Sequence, residues 1–206
     1  MQAVLREKIK PGMTVYDCGA NIGYFSVIFA NLVRPTGRVF AFEPSPSSLE
    51  CLRAATTLND YPHLTVVPKA VWGCTEILRF ARGPQDKSLV SDHVDGVFGE
   101  SSAPGGYVEI PATSLDEFVY VEGNPPPDFI KIEVEGSEGK AIAGARSLLA
   151  DHHPSLLLEI HGEPGREVWE CLKQLKYVAT NIATGEVPDS ADEFAVWIRQ
   201  YLAVPV

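Results

Sequence analysis

The chain has 206 residues, 45% of them hydrophobic and 21% charged, with a formal net charge of −10. That length fits one domain with a substantial core, and the acidic balance argues against nucleic acid or an anionic membrane surface as partner. Lys and Arg are dispersed with no two adjacent, the four cysteines (Cys18, Cys51, Cys74, Cys171) have neither C-x-x-C nor zinc spacing, and neither a membrane-spanning run nor a signal-peptide apolar region is visible. A cytoplasmic location is expected, and a homodimer is compatible with these features.

In chain order, residues 2–10 read as a short helix stopped by Pro11 and Gly12, and residues 14–17 as a first strand. The stretch VYDCGANIGYFS, residues 15–26, runs from that strand through a glycine turn into a helix over 22–33. Residues 38–42 form a second strand closed by an acid, Glu43, and residues 46–59 a helix with Ser45 as N-cap and Pro46 in its first turn. A third strand over 64–71 is interrupted by Pro68, which places it near a sheet edge.

Residues 73–113 break the alternation. Residues 77–81 and 107–111 read as antiparallel strands, and the polar, Gly-rich stretch 83–106 between them as a lid or substrate loop inserted into the single domain that spans 1–206. The pattern then resumes with a strand over 129–135, a helix over 137–150, a strand over 155–161 and a helix over 165–175. Residues 177–182 and 194–199 complete it as an antiparallel edge pair. Alternating strands and helices predict a doubly wound, mostly parallel sheet with helices on both faces.

A glycine turn after the first strand and an acid closing the second is how such a fold holds a ribose-bearing cofactor. The turn is not the dinucleotide fingerprint, because Asn21 stands where its second glycine belongs. A nicotinamide-dependent oxidoreductase is therefore disfavoured, and S-adenosylmethionine, which has no pyrophosphate, suits the turn. Each residue keeps a plainer reading: Gly19 and Gly23 as turn glycines, Asn21 as a helix cap, Glu43 as an acid beside a helix dipole.

Alternation along the fourth strand puts Lys131, Glu133 and Glu135 on one face, an expensive placement unless they meet at the open cleft. On the next strand Glu159 and His161 share a face, and Lys131 is expected to meet Glu159 across the ladder. His161 is the leading candidate base, titrating near ~6.5 when unperturbed, with Glu135 second. Glu133, Glu135, Glu138 and Glu159 offer an alternative cation site, although Glu138 in a first helical turn is also explained by the dipole.

Four segments together resemble the FkbM family of S-adenosylmethionine-dependent methyltransferases: VYDCGANIGYFS (15–26), VFAFEPSP (39–46), FIKIEVEGSEGKAIAGA (129–145) and PSLLLEIHG (154–162). The family usually carries Asp where this chain has Glu133. The resemblance implies a class I methyltransferase fold, Rossmann-like, with the cofactor across the C-terminal ends of the first, second and fourth strands. It implies that Asp17, Gly19, Ala20, Asn21 and Gly23 surround the methionine part, that Glu43 and Pro44 lie at the ribose, and that Ala70 and Val71 lie near the adenine. The residues themselves, rather than the resemblance, put Glu133, Glu135 and His161 forward for the reaction centre and Lys131 and Glu159 toward the substrate; the resemblance requires no metal. The expected reaction is O-methylation of a small-molecule or glycan hydroxyl, as in polyketide or saccharide tailoring. N-methylation, or a non-catalytic cofactor-binding module acting with a partner, are the alternatives.

Overall fold

The computed structural model describes residues 2–81, 90–91, 107–196 and 199–206. The first part of the chain forms α1 (Gln2–Lys8), β1 (Thr14–Cys18), α2 (Tyr24–Val33), β2 (Arg38–Phe42), α3 (Pro46–Leu58) and β3 (Leu64–Val67). Then come β4 (Ala70–Val71), β5 (Ile77–Ala81), β6 (Val90–Ser91), β7 (Tyr107–Thr113) and α4 (Leu115–Tyr120). The remainder is β8 (Phe129–Ile132), α5 (Glu138–Ala143), α6 (Arg146–His152), β9 (Ser155–Ile160), α7 (Pro164–Gln174), β10 (Tyr177–Asn181), α8 (Ala191–Phe194) and β11 (Arg199–Pro205).

Seven strands form the main sheet in the order β10-β11-β9-β8-β1-β2-β3. β11 is antiparallel to both neighbours, and the other pairings are parallel. The antiparallel strand therefore stands one place in from the edge, and β10 closes the sheet. Side-chain alternation feeds two cores. Tyr16, Phe40, Phe42, Ile130, Ile132, Leu156 and Leu158 pack under α4 to α8, with Tyr16, Phe40, Phe42 and Phe118 meeting edge to face. Val15, Val39, Ala41, Phe129 and Leu157 pack against α1, α2 and α3. Neighbouring strands depart from β1 in opposite directions, so a crevice opens at the C-terminal ends of β1, β2 and β8, where ligands bind in open α/β sheets.

Pro68 does more than mark an edge. β3 is the outer strand, as expected, but the chain breaks after Val67, and β4 joins a second sheet of order β4-β7-β5-β6. The antiparallel pairing of β5 with β7 matches expectation. The candidate lid, 83–106, lies outside the described residues apart from β6, which pairs with β5.

Four boundaries differ from the sequence reading. β8 stops at Ile132, not 135, because Glu135 (φ +50°) and Gly136 (φ +92°) turn the chain; Lys131, Glu133 and Glu135 do not share a strand face. The helix over 137–150 is two helices, split where Gly144 packs against the Trp72 carbonyl so closely that a Cβ would overlap it. Helix α4 was not expected; it begins at Ser114, whose Oγ accepts from Glu117 N at 3.1 Å and donates to Glu117 Oε2 at 2.9 Å. The last strand is 199–205 rather than 194–199, and Phe194 instead ends α8, stacked 4.3 Å from Tyr201. No helix among the described residues is long and apolar enough to cross a membrane.

The turn after β1 is where local geometry is least negotiable. Gly19 has φ +79°, and a Cβ there would overlap the Glu133 carbonyl oxygen. Gly23 has φ +92°, with Leu52 Cδ1 2.8 Å from the place of its Cβ. Gly19→Ala is expected to cost about 1–2 kcal/mol for left-handed backbone and about 1–3 kcal/mol more for overpacking. Urea unfolding checks this as a lower midpoint at an unchanged m-value.

Candidate active site

The crevice is a cleft of about 690 Å³. One wall is the turn after β1. Gly19 and Ala20 donate their backbone N–H groups to the Phe42 carbonyl at 3.0 and 2.9 Å, which hooks this turn onto the end of β2. Glu43 follows directly. Its Oε2 accepts from Asn21 N at 2.8 Å and its Oε1 from Ser45 N at 2.7 Å. Only 6% of the residue is exposed, and burial pushes its carboxyl up while the Ser45 and Asn21 amides oppose that rise. Asn21, at φ +50°, does not cap α2; Gly23 holds that position, and Asn21 Oδ1 accepts from Ser48 Oγ at 3.2 Å.

The opposite wall is the turn after β8, and Lys131 ties the two together. Lys131 lies directly across the parallel ladder from Asp17. Its Nζ contacts Asp17 Oδ1 at 3.2 Å and Glu133 Oε2 at 3.1 Å, and donates to the Gly19 carbonyl at 2.8 Å. Burial alone would depress the ammonium, but Asp17 and Glu133 outweigh it and hold its pKa above the ordinary value. Asp17 is fully buried, and its Oδ2 accepts from Ser26 Oγ at 2.6 Å. Its Oδ1 makes no directed hydrogen bond among the described residues, so the contact with Lys131 is coulombic. Burial raises the Glu133 carboxyl although Lys131 pulls it down. The expected Lys131–Glu159 contact does not form. Lys131 is in register with Leu157, and Glu159 lies beyond the β8–β9 pairing, opposite Gln200, whose Nε2 donates to its Oε2 at 2.6 Å.

A second cluster lies just past the end of β9. The Nδ1 of His161 is 2.7 Å from Glu138 Oε1, while its Nε2 is 3.5 Å from Glu159 Oε1 and 3.8 Å from Glu135 Oε2. Glu138 is fully buried rather than solvated at a helix start. The Glu138 hydrogen bond outweighs the opposing effect of burial and raises the His161 pKa above 6.5, with Glu135 and Glu159 adding to the rise. No group of three or more His, Cys, Asp or Glu residues among those described is arranged to hold a metal ion.

Gly19, Ala20, Asn21, Glu43, Pro44, Ala70, Val71, Lys131, Glu133 and Glu135 all line the cleft. Asp17, Gly23, Glu159 and His161 stand behind that surface. Sequence reasoning missed Tyr24, Phe25, Ser45, Ser47, Ser48 and Cys51, which also line it. A signal was present for the serines: SPSS opens a helix beside a ribose-type acid, and that helix must point its first turn into the same crevice.

The model of the methyltransferase FkbM domain matches residues 17–202, so the chain belongs to the FkbM methyltransferase family. It is 26% identical over 183 residues to the 31-O-demethyl-FK506 methyltransferase FkbM of Streptomyces tacrolimicus, covering 77% of this chain and 69% of that protein. It is 27% identical over 176 residues to the hexuronic acid methyltransferase AglP of Haloferax volcanii, covering 84% of this chain and 66% of that protein. The crystal structure of methyltransferase FkbM from Methylobacillus flagellatus KT superimposes with a TM-score of 0.57 at 19% identity, covering 98% of this chain and 50% of that one. The chain thus spans about two thirds of each curated relative and half of the Methylobacillus chain. The fold is that of the class I methyltransferases.

Removing Lys131 leaves the buried Asp17 carboxylate without its cation. Lys131→Met is expected to cost about 3–5 kcal/mol, and the double variant with Asp17→Asn less than the sum of the two singles. Urea titrations of all three variants measure both quantities.

Proposed function

We propose that this FkbM-family chain binds S-adenosylmethionine in the cleft and transfers its methyl group to a hydroxyl oxygen of a small molecule or glycan. The observation that carries the reading is Glu43, a buried carboxylate fixed by two backbone amides at the end of β2 and lining a cleft of about 690 Å³. That volume lies within the range of cofactor sites, ~300–1,000 Å³. Each carboxylate oxygen has a second acceptor position beyond the amide it already receives, enough for the two ribose hydroxyls. Ala70, Val71 and Phe42 supply an apolar surface for a purine. The described lining carries Glu43, Glu133 and Glu135 against one cation, Lys131, a balance that suits a sulfonium and repels a pyrophosphate.

When bound, S-adenosylmethionine supplies an already activated methyl group and leaves as the thioether. The chain's own task is to orient the acceptor oxygen and take its proton. Glu135 lines the cleft and meets the hydroxyl; His161, its Nε2 3.8 Å from Glu135 Oε2, stands behind it to receive the proton. Glu133 holds Lys131, and with it the turn that carries the donor. A carboxylate-bearing acceptor would face Glu133 and Glu135 with no described cation in the lining except one already paired with two carboxylates, Asp17 and Glu133. The reading therefore favours an uncharged hydroxylated acceptor, such as a polyketide or neutral sugar.

Calorimetry is expected to give micromolar binding of S-adenosylmethionine and S-adenosylhomocysteine and none of NAD. Glu43→Ala should weaken that binding by about 1–3 kcal/mol; normal affinity in this variant would refute the ribose assignment. A screen of hydroxylated acceptors for S-adenosylhomocysteine release identifies the substrate class. With an acceptor so found, Glu135→Gln should keep cofactor affinity and lower turnover about 100-fold or more.

A further inference from the structure

Glu138 has no part in the cleft wall, yet it is the most completely enclosed acid of the His161 cluster. An ionised carboxylate so deeply buried is costly unless it is paired and hydrogen-bonded. Among the described residues one of its oxygens, Oε1, has two partners: the Gly136 N–H donates to it at 3.1 Å, and His161 Nδ1 approaches it at 2.7 Å. The other, Oε2, has no hydrogen-bond partner among the described residues.

This arrangement fixes a proton. A backbone N–H aimed at Oε1 makes that oxygen an acceptor. Two acceptors do not approach to 2.7 Å without a hydrogen between them, so with Glu138 ionised the hydrogen of the second contact is the one on Nδ1. The other ring nitrogen then faces Glu159 Oε1 and Glu135 Oε2, both acceptors. A proton arriving at Nε2 meets negative charge on two sides, and Glu159 is itself held in place by Gln200. The charged groups facing the imidazole include Glu138 of α5, Glu135 of the turn after β8 and Glu159 of β9.

We propose that Glu138 is a positioning residue: it locks His161 in the Nδ1–H form and turns Nε2 toward Glu135 as the proton acceptor. The consequence for catalysis rests on the methyl-transfer reading above, in which the acceptor's O–H proton passes by way of Glu135 to Nε2. The lock itself does not rest on it. Gly136, whose amide Glu138 also holds, has φ +92° and adjoins Glu135 at φ +50°. The same carboxylate therefore sets both the imidazole and the turn that presents Glu135.

Long-range ¹⁵N–¹H spectra of histidine-labelled protein, recorded across pH, test the proposal without any acceptor. The wild type should show His161 titrating above 6.5 and, above that midpoint, the Nδ1–H tautomer. Glu138→Gln keeps the shape and removes the charge, and should lower the midpoint by about 1 pH unit or more. Glu135→Gln, at longer range and more exposed, should lower it less. Because the folded midpoint exceeds the unfolded value of ~6.5, the proton's contribution to stability is complete below ~6.5 and fades as pH rises through the folded midpoint. Glu138→Gln should shrink that dependence in urea unfolding series at several pH values. An Nε2–H tautomer in the wild type, an unmoved midpoint in Glu138→Gln, or a larger shift in Glu135→Gln would overturn the proposal. Cofactor calorimetry on the same samples separates the two readings: loss of the lock with normal S-adenosylmethionine binding defeats this inference alone, whereas an intact lock without binding defeats the methyl-transfer reading alone.

Discussion

The ammonium of Lys131 is the joint on which the cleft is built. It sits 3% exposed among two carboxylates and a carbonyl, those of Asp17, Glu133 and Gly19. Taking such a group out of water is expensive, and Asp17 and Glu133 together outweigh that penalty and hold its pKa above the ordinary value. The arrangement costs more than apolar packing of the same volume often would. What it supplies is geometry. The turn after β1 and the turn after β8 are the two walls of the cleft, and Lys131 holds both. The contact is so close that no side chain fits at Gly19.

That joint decides what the rest of the site can be. With its charge spent on Asp17 and Glu133, Lys131 leaves the cleft net negative among the described residues. In the proposed reading the nucleoside end is marked by Glu43, whose orientation comes from the backbone amides of Asn21 and Ser45 and so needs no further side chain. In the same reading the reacting end is marked by Glu135 and the imidazole behind it. The two ends are built from different parts of the chain: β1, β2 and α3 for one, β8, α5 and β9 for the other. Gln200 extends the second group to β11, so the antiparallel strand next to the sheet edge also braces an acid beside the imidazole.

Much of this was legible in the sequence because it is written in short-range chemistry. The turn glycines, Glu43 at the end of a strand and the alternating elements have local signatures, and the structure places them as those signatures demand. The strand of residues 129–135 shows where locality fails. Alternation extended it to Glu135, but the packing of Glu133 against Gly19 and the left-handed residues Glu135 and Gly136 end it sooner. The expected Lys131–Glu159 contact fails because strand order says which strands are neighbours and not their register, and the register sets Lys131 opposite Asp17 and Leu157. The two unexpected helices did carry a readable sign. Ser114 with Glu117, and Ser190 with Glu193, have the spacing of a capping box, and in both the serine oxygen accepts the N–H three residues on. Burial of Glu138 had no local sign at all, since a glutamate at a helix start is ordinarily solvated.

The central claim is that this cleft holds an adenosyl group by its sugar at Glu43. A crystal structure with S-adenosylhomocysteine present at saturation tests it most directly. The account predicts both ribose hydroxyls within hydrogen-bonding distance of the Glu43 carboxylate, the purine against Ala70 and Val71, and the homocysteine part beside Gly19 and Asn21. An empty cleft, or a nucleoside bound with its sugar away from Glu43, would contradict it.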